Sequence, residues 1–139
     1  VGTLLAVLAL VAGLVLLLVV AGLVRLALVR RAHRRRVAGY APEVVEQAGL
    51  FAVASDRQTQ VRGIGSLLLG REHLAFVPLV AGRDVEVPRE AITSATLSRT
   101  FMGRSTGADL LVVTWSRDGL ADAAAFQVSD PAGWRDRLA

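Results

Sequence analysis

The chain of 139 residues contains no cysteine, which excludes a disulfide framework, a thiolate metal site and a cysteine nucleophile together. Lysine and asparagine are missing as well, so arginine carries all the fixed positive charge; with the heavy use of Ala, Gly, Val and Leu this suggests a GC-rich genome. His33 and His73 are the only histidines, too few for a histidine-built metal site or a nucleophile–histidine–acid triad. The carboxylates are scattered over turns and outward strand positions, so none is nominated for general acid–base chemistry. Gly63-Ile64-Gly65 begins like a dinucleotide-binding turn, but the position where a third glycine is needed holds Leu68. These absences predict a non-enzymatic chain with no catalytic residue, no metal ligand set and no cofactor.

The formal net charge is +4, and its placement says more than its size. Six arginines, Arg25, Arg30, Arg31, Arg34, Arg35 and Arg36, cluster within a dozen positions. From Val37 onward ten arginines face twelve acidic residues, so the remainder of the chain is slightly negative. A fold that grips phosphate backbones carries its positive charge on the folded surface, so nucleic acid is not an expected partner.

What the sequence has in abundance is apolar length. Residues 2–24 carry no charge and only one polar side chain, Thr3. At a rise of about 1.5 Å per residue such a helix covers roughly 35 Å, enough for a hydrocarbon core of about 30 Å. A cleaved secretory signal has a shorter apolar region, a basic start and a small-residue cleavage site, none of which fits, so a retained anchor is expected. The arginine collar then places the N-terminus outside and the rest of the chain in the cytoplasm, at the cell membrane. Arg25, Arg30, Arg31, Arg34, Arg35 and Arg36 are the expected contacts to anionic headgroups, with His33 a bystander. Gly2, Ala6, Ala9 and Gly13 lie along one helical face, where small residues offer a homo-oligomeric packing surface through Ala6, Ala9 and Gly13.

Ala38-Gly39-Tyr40-Ala41-Pro42 interrupts the helical pattern and starts a linker. Residues 43–48 are expected to form a short helix entered at Pro42 and closed at Gly49. The division that follows is a transmembrane helix over residues 1–24, a juxtamembrane collar and linker over 25–49, and a folded domain over 50–139.

In that domain the periodicity changes to short alternating runs closed by Gly, Pro or Asp, the pattern of a small antiparallel sheet. Seven strands are expected, over residues 50–54, 64–69, 73–79, 83–87, 92–99, 110–115 and 122–128. Val85 and Val87 alternate with Asp84 and Glu86, and Ala124, Phe126 and Val128 with Ala125 and Gln127, so these apolar sets face inward. Ala81-Gly82 and Asp118-Gly119 supply hairpin turns. Asp130-Pro131 starts a C-terminal helix whose Trp134 closes the open end of the curved sheet. The fold class expected is thus mainly β: one N-terminal transmembrane helix, then a seven-stranded antiparallel sandwich or barrel capped by a C-terminal helix.

His73-Leu74-Ala75-Phe76, Val87-Pro88-Arg89-Glu90-Ala91-Ile92 and Leu110-Leu111-Val112-Val113-Thr114-Trp115, followed by Phe126 and Asp130-Pro131, resemble a bacterial PH-like (pleckstrin homology, GRAM-type) domain. The whole layout is similar to the single-pass PH-like membrane proteins of actinobacteria, whose genes often neighbour pyrimidine-biosynthesis genes and which are often catalogued as transport or export proteins. Two stretches depart from that pattern, Asp56-Arg57-Gln58-Thr59-Gln60 after the first strand and the Gly-rich stretch before Leu110. The second, residues 100–109, is read as a loop in which Phe101 and Met102 meet lipid or a partner. In the same loop Arg104, Ser105 and Thr106 offer a phosphate their charge, hydroxyls and backbone amides.

With no catalytic constellation, the expected function is a membrane-anchored PH-like interaction or adaptor module at the cytoplasmic face. It would contact the anionic bilayer and one protein partner, whose identity the sequence leaves open. The alternatives are a sensor of anionic lipid or a small ligand, and an accessory subunit of a transport or export system.

Overall fold

The computed structural model describes residues 1–55, 63–80 and 82–139. Its first element is one unbroken helix of 38 residues, α1 (Gly2–Gly39), long and apolar enough to cross a membrane. The arginine collar is therefore a continuation of the same helix as the apolar segment. At Tyr40 and Ala41 the helix stops. Ala41 adopts a left-handed conformation (φ 46°), its N–H bonds to Ala38 O at 3.1 Å, and Pro42, which cannot extend a helix, follows.

Seven strands follow: β1 (Val44–Val53), β2 (Gly63–Leu69), β3 (His73–Pro78), β4 (Val85–Pro88), β5 (Ile92–Phe101), β6 (Arg104–Arg117) and β7 (Leu120–Gln127). A 3-10 turn (Arg89–Ala91) joins β4 to β5, and α2 (Pro131–Leu138) ends the chain. They form one antiparallel sheet in the order β4-β3-β2-β1-β7-β6-β5. It is two meanders, β1 to β4 and β5 to β7, joined where β1 pairs with β7.

Two expectations are corrected. The short helix over residues 43–48 is instead the first half of β1, which begins at Val44. Tertiary pairing overrides local propensity there: Glu43 N–H reaches Leu69 O at 2.9 Å, and Val44 to Leu50 run in register against Leu69 to Gly63. The loop over residues 100–109 is a hairpin. Phe101 pairs with Arg104, leaving only Met102 and Gly103 as the turn, both with positive φ as a tight type I′ hairpin requires. Asp118 and Gly119 make the same kind of turn between β6 and β7, as expected from their sequence. The departures noted at residues 56–60, and Ala81 of the expected Ala81-Gly82 turn, lie outside the described residues.

The sheet folds over a core that includes Leu50, Leu67, Leu74, Phe76, Leu111 and Phe126, with the Phe76 and Phe126 ring centroids 5.9 Å apart. Val87 and Ala124 join it, and Val85 and Val128 pack at its rim, so the alternating sets face inward as the period-two pattern implied. Trp134 of α2 is fully buried against this core and closes its open end. Asp130 caps α2 by accepting from Gly133 N–H at 3.1 Å. Glu46 of β1 accepts hydrogen bonds from Trp134 Nε1 and from Ser129 Oγ, binding the C-terminal helix to the strand that joins the two meanders.

Candidate functional site

Residues 67–69 of β2 and strand β3 are buried on both faces, and the burial explains how α1 and the domain are held together. Leu67 and Leu69, with Leu74 and Phe76, point into the main core, while Leu68, Ala75 and Val77 point the other way. That outer face is covered by Val37 and Tyr40 from the end of α1. Fully burying a Leu or Val side chain is worth about 1.5–3 kcal/mol, so the outer cluster is a real adhesive between helix and sheet.

Polar contacts fix the register of this junction. His33 places Nδ1 3.1 Å from Pro78 O and Nε2 2.9 Å from Ser66 Oγ. A carbonyl only accepts, so Nδ1 carries a proton and donates to it. Three residues further on, Arg36 donates to Pro78 O (3.4 Å), to Gly82 O (3.2 Å) and to the Asp84 carboxylate, with which it forms an ion pair. Tyr40 Oη donates to the other Asp84 oxygen at 2.8 Å. Burial, followed by this bond to a carboxylate, pushes the Tyr40 phenol well above its ordinary range. His33, Arg36, Val37 and Tyr40 recur at helical spacing, so one stripe of α1 is committed to the domain.

The close approach of β2 and β3 beneath this stripe requires Gly65. A Cβ there would sit 2.3 Å from Val77 O and 2.9 Å from Pro78 Cα, both backbone atoms that cannot move aside cheaply.

The six collar arginines therefore divide. Arg36 faces the domain, whereas Arg25, Arg30, Arg31, Arg34 and Arg35 remain exposed. His33, read from sequence as a bystander, is part of the junction. From sequence Tyr40 figures only in the helix-breaking stretch and Asp84 only as an outward strand position; both, with Ser66, belong to the junction. The signal available for them was the unbroken apolar runs Leu67-Leu68-Leu69 and Ala75-Phe76-Val77, which mark strands covered on both faces, together with the chain's only tyrosine at the point where the helix ends.

Beside the junction, α1 and the outer face of β1 and β2 enclose an open groove of about 650 Å³ whose walls include Arg34, Val37, Ala38 and Val45. A second hollow of about 280 Å³, with Arg30, Gln47 and Ile64 in its wall, lies along the same boundary. His33 and Ser66 line both, so the two hollows meet at their hydrogen bond.

The residues expected to offer a phosphate their hydroxyls and amides stand on the hairpin of β5 and β6. Ser105 Oγ accepts from the N–H of Gly107 at 3.1 Å, and Thr106 Oγ1 donates to Ala108 O at 3.4 Å. Arg104, Ser105 and Thr106 lie on exposed strand, Met102 sits exposed at the tip, and Phe101 is half-buried. His73 stands at the start of β3 with Nε2 3.5 Å from Glu86. Among the described residues no group of three or more potential metal ligands comes together. No protein-family model and no curated protein matches the chain.

Proposed function

We propose that the chain is a non-enzymatic, single-pass membrane protein whose sheet domain is an interaction module held at the cytoplasmic face. The collar supports that orientation, because arginines next to a spanning helix are retained on the cytoplasmic side. Two meanders joined through β1 and β7 and closed by a terminal helix support the resemblance to PH-like domains.

One observation carries the docking role. The sheet ends at β5, a ten-residue edge strand. It has neither lysine nor proline to blunt it, its one charge, Arg99, is already paired with Asp109 across the hairpin at 3.6 Å, and its regular stretch, Ser94 to Ser98, lies between two register shifts. An edge of that length is a template for strand addition by a protein partner. Gly2, Ala6, Ala9 and Gly13 offer a further contact, helix to helix, within the membrane.

The test is crosslinking in the native membrane, comparing wild type with Thr96→Lys, which sets a charge on the exposed edge. A specific protein captured by the wild type and lost with Thr96→Lys supports the module; capture that survives the substitution moves the docking surface off β5. The sensor reading is favoured by the exposed arginines beside the groove, and an accessory role in transport requires a multispanning partner in the captured material.

A further inference from the structure

We propose that the loop between β3 and β4 rests on the surface of the bilayer that α1 enters, with Ile64 and Val80 in the interfacial layer and Arg83 against anionic headgroups. The proposal rests on the membrane-anchored part of the reading above and is independent of which protein docks on β5.

The contacts of α1 fix which end of the sheet faces the apolar segment. At the C-terminal end of α1 the carbonyl of Tyr40 stands against Gly70, just past the end of β2. Nearer the apolar segment His33 meets Ser66 and Pro78 O, and one turn further Arg30 shares a hollow with Ile64 and Leu79. The start of β2 and the loop after β3 therefore face the apolar segment, and the Gly70-Arg71-Glu72 turn faces away from it. Leu79 N–H donates to Ile64 O at 3.0 Å, so Ile64 and Val80 belong to the same end of the sheet.

The remaining distance is short. Every residue of α1 up to Leu28 is exposed and Val29 is the first that is not, so the domain reaches back along the helix to that level. Val29 is five positions beyond Val24, the last residue of the uncharged run, hence about 7.5 Å along the axis. The headgroup layer is itself about 5–7 Å deep on each side, so this end of the domain meets it. The side chains there suit such a layer: Ile64 is 60 % and Val80 69 % exposed, and Arg83 is exposed in the same loop. The acid of that loop, Asp84, is already neutralised by Arg36. Water leaves both aliphatic side chains uncovered, whereas the interface covers them and anionic headgroups hold the arginine. The turn at the opposite end of β2 and β3 exposes only the charged Arg71 and Glu72.

The experiment sets a nitroxide on single cysteines in the full chain, which has none of its own, in vesicles that mix phosphatidylglycerol with phosphatidylcholine. Val80→Cys reports the loop, Glu72→Cys the opposite turn and Leu14→Cys the apolar segment. The readout is relaxation of each label by a water-soluble nickel chelate and by oxygen, which concentrates in lipid. At Val80→Cys the nickel effect should be several-fold weaker than at Glu72→Cys, and the oxygen effect stronger. Adding Ile64→Asp and Arg83→Gln to the Val80→Cys chain should return nickel access to the level of Glu72→Cys, with circular dichroism checking that the fold is kept. Equal nickel access at Val80→Cys and Glu72→Cys in the otherwise unaltered chain overturns the proposal. Protection of Val80→Cys from both agents overturns it too, because protein then covers the loop. Leu14→Cys separates the two readings: if it is shielded from nickel while Val80→Cys is not, the anchor stands and only the loop contact is lost, whereas an accessible Leu14→Cys removes both.

Discussion

The hydroxyl of Tyr40 lies 2.8 Å from Oδ2 of Asp84, and the other oxygen of that carboxylate is paired with Arg36. One acidic side chain beside β4 thus holds both the last turn of α1 and its C-cap residue, Tyr40. Its position makes the orientation of the domain a property of α1, and several consequences can be measured.

Tyr40 is the only tyrosine, so its ionisation can be followed directly by absorbance. Because burial and the Asp84 carboxylate raise its pKa above the ordinary value of 10.0, tyrosinate should appear only well above that pH. Asp84→Ala should bring the titration back toward 10. The sign follows from linkage: the folded state holds the proton more tightly, so the junction's stability is fully present below about pH 10 and declines as pH rises beyond it. A wild-type titration centred at 10 would show that the phenol is not engaged.

Gly65→Ala should destabilise the domain by about 1–3 kcal/mol, because the added methyl collides with the backbone of Val77 and Pro78. Thermal unfolding of the full chain in detergent measures this. An unchanged midpoint would mean that β2 and β3 do not approach as closely as described.

Trp134→Ala should cost about 3–5 kcal/mol, the range for emptying a large aromatic site in a core. Asp130→Ala, which removes only the cap of α2, should cost about 1 kcal/mol. Comparable losses from the two would indicate that α2 is held by its cap and not by its buried tryptophan.

Ala41 occupies a left-handed conformation that L-residues adopt at a cost of about 1–2 kcal/mol. Ala41→Gly removes that strain and should stabilise the junction by up to about 1 kcal/mol, read as slower proteolysis between helix and sheet. Faster cleavage would contradict the left-handed turn at Ala41 that follows the C-cap Tyr40.

The strands were legible because alternation and turns agreed: Val85 and Val87, Phe126, and the Asp118-Gly119 turn all stand where their pattern put them. Trp134 was legible as a plug because Asp130-Pro131 announces a helix too short to stand alone. Val44 to Ala48 were not, since Val-Val-Glu-Gln-Ala fits either a helix or a strand and only pairing with β2 decides. Residues 100–109 misled because Gly103 and Gly107 read as loop, whereas they are the left-handed positions of a turn and of an irregularity within strand. The junction was hidden for another reason: His33, Arg36, Tyr40 and Asp84 are brought together by tertiary packing across more than forty positions, which no local periodicity encodes.

The most direct test of the account is the distance between α1 and the domain in a lipid bilayer. The absence of cysteine allows spin labels at Arg31→Cys and Leu120→Cys without background, both at exposed positions. Double electron–electron resonance should give one narrow distance distribution that broadens with Asp84→Ala. A broad distribution in the otherwise unaltered protein, insensitive to Asp84→Ala, would show that the helix and the sheet move independently and would remove the junction on which the account stands.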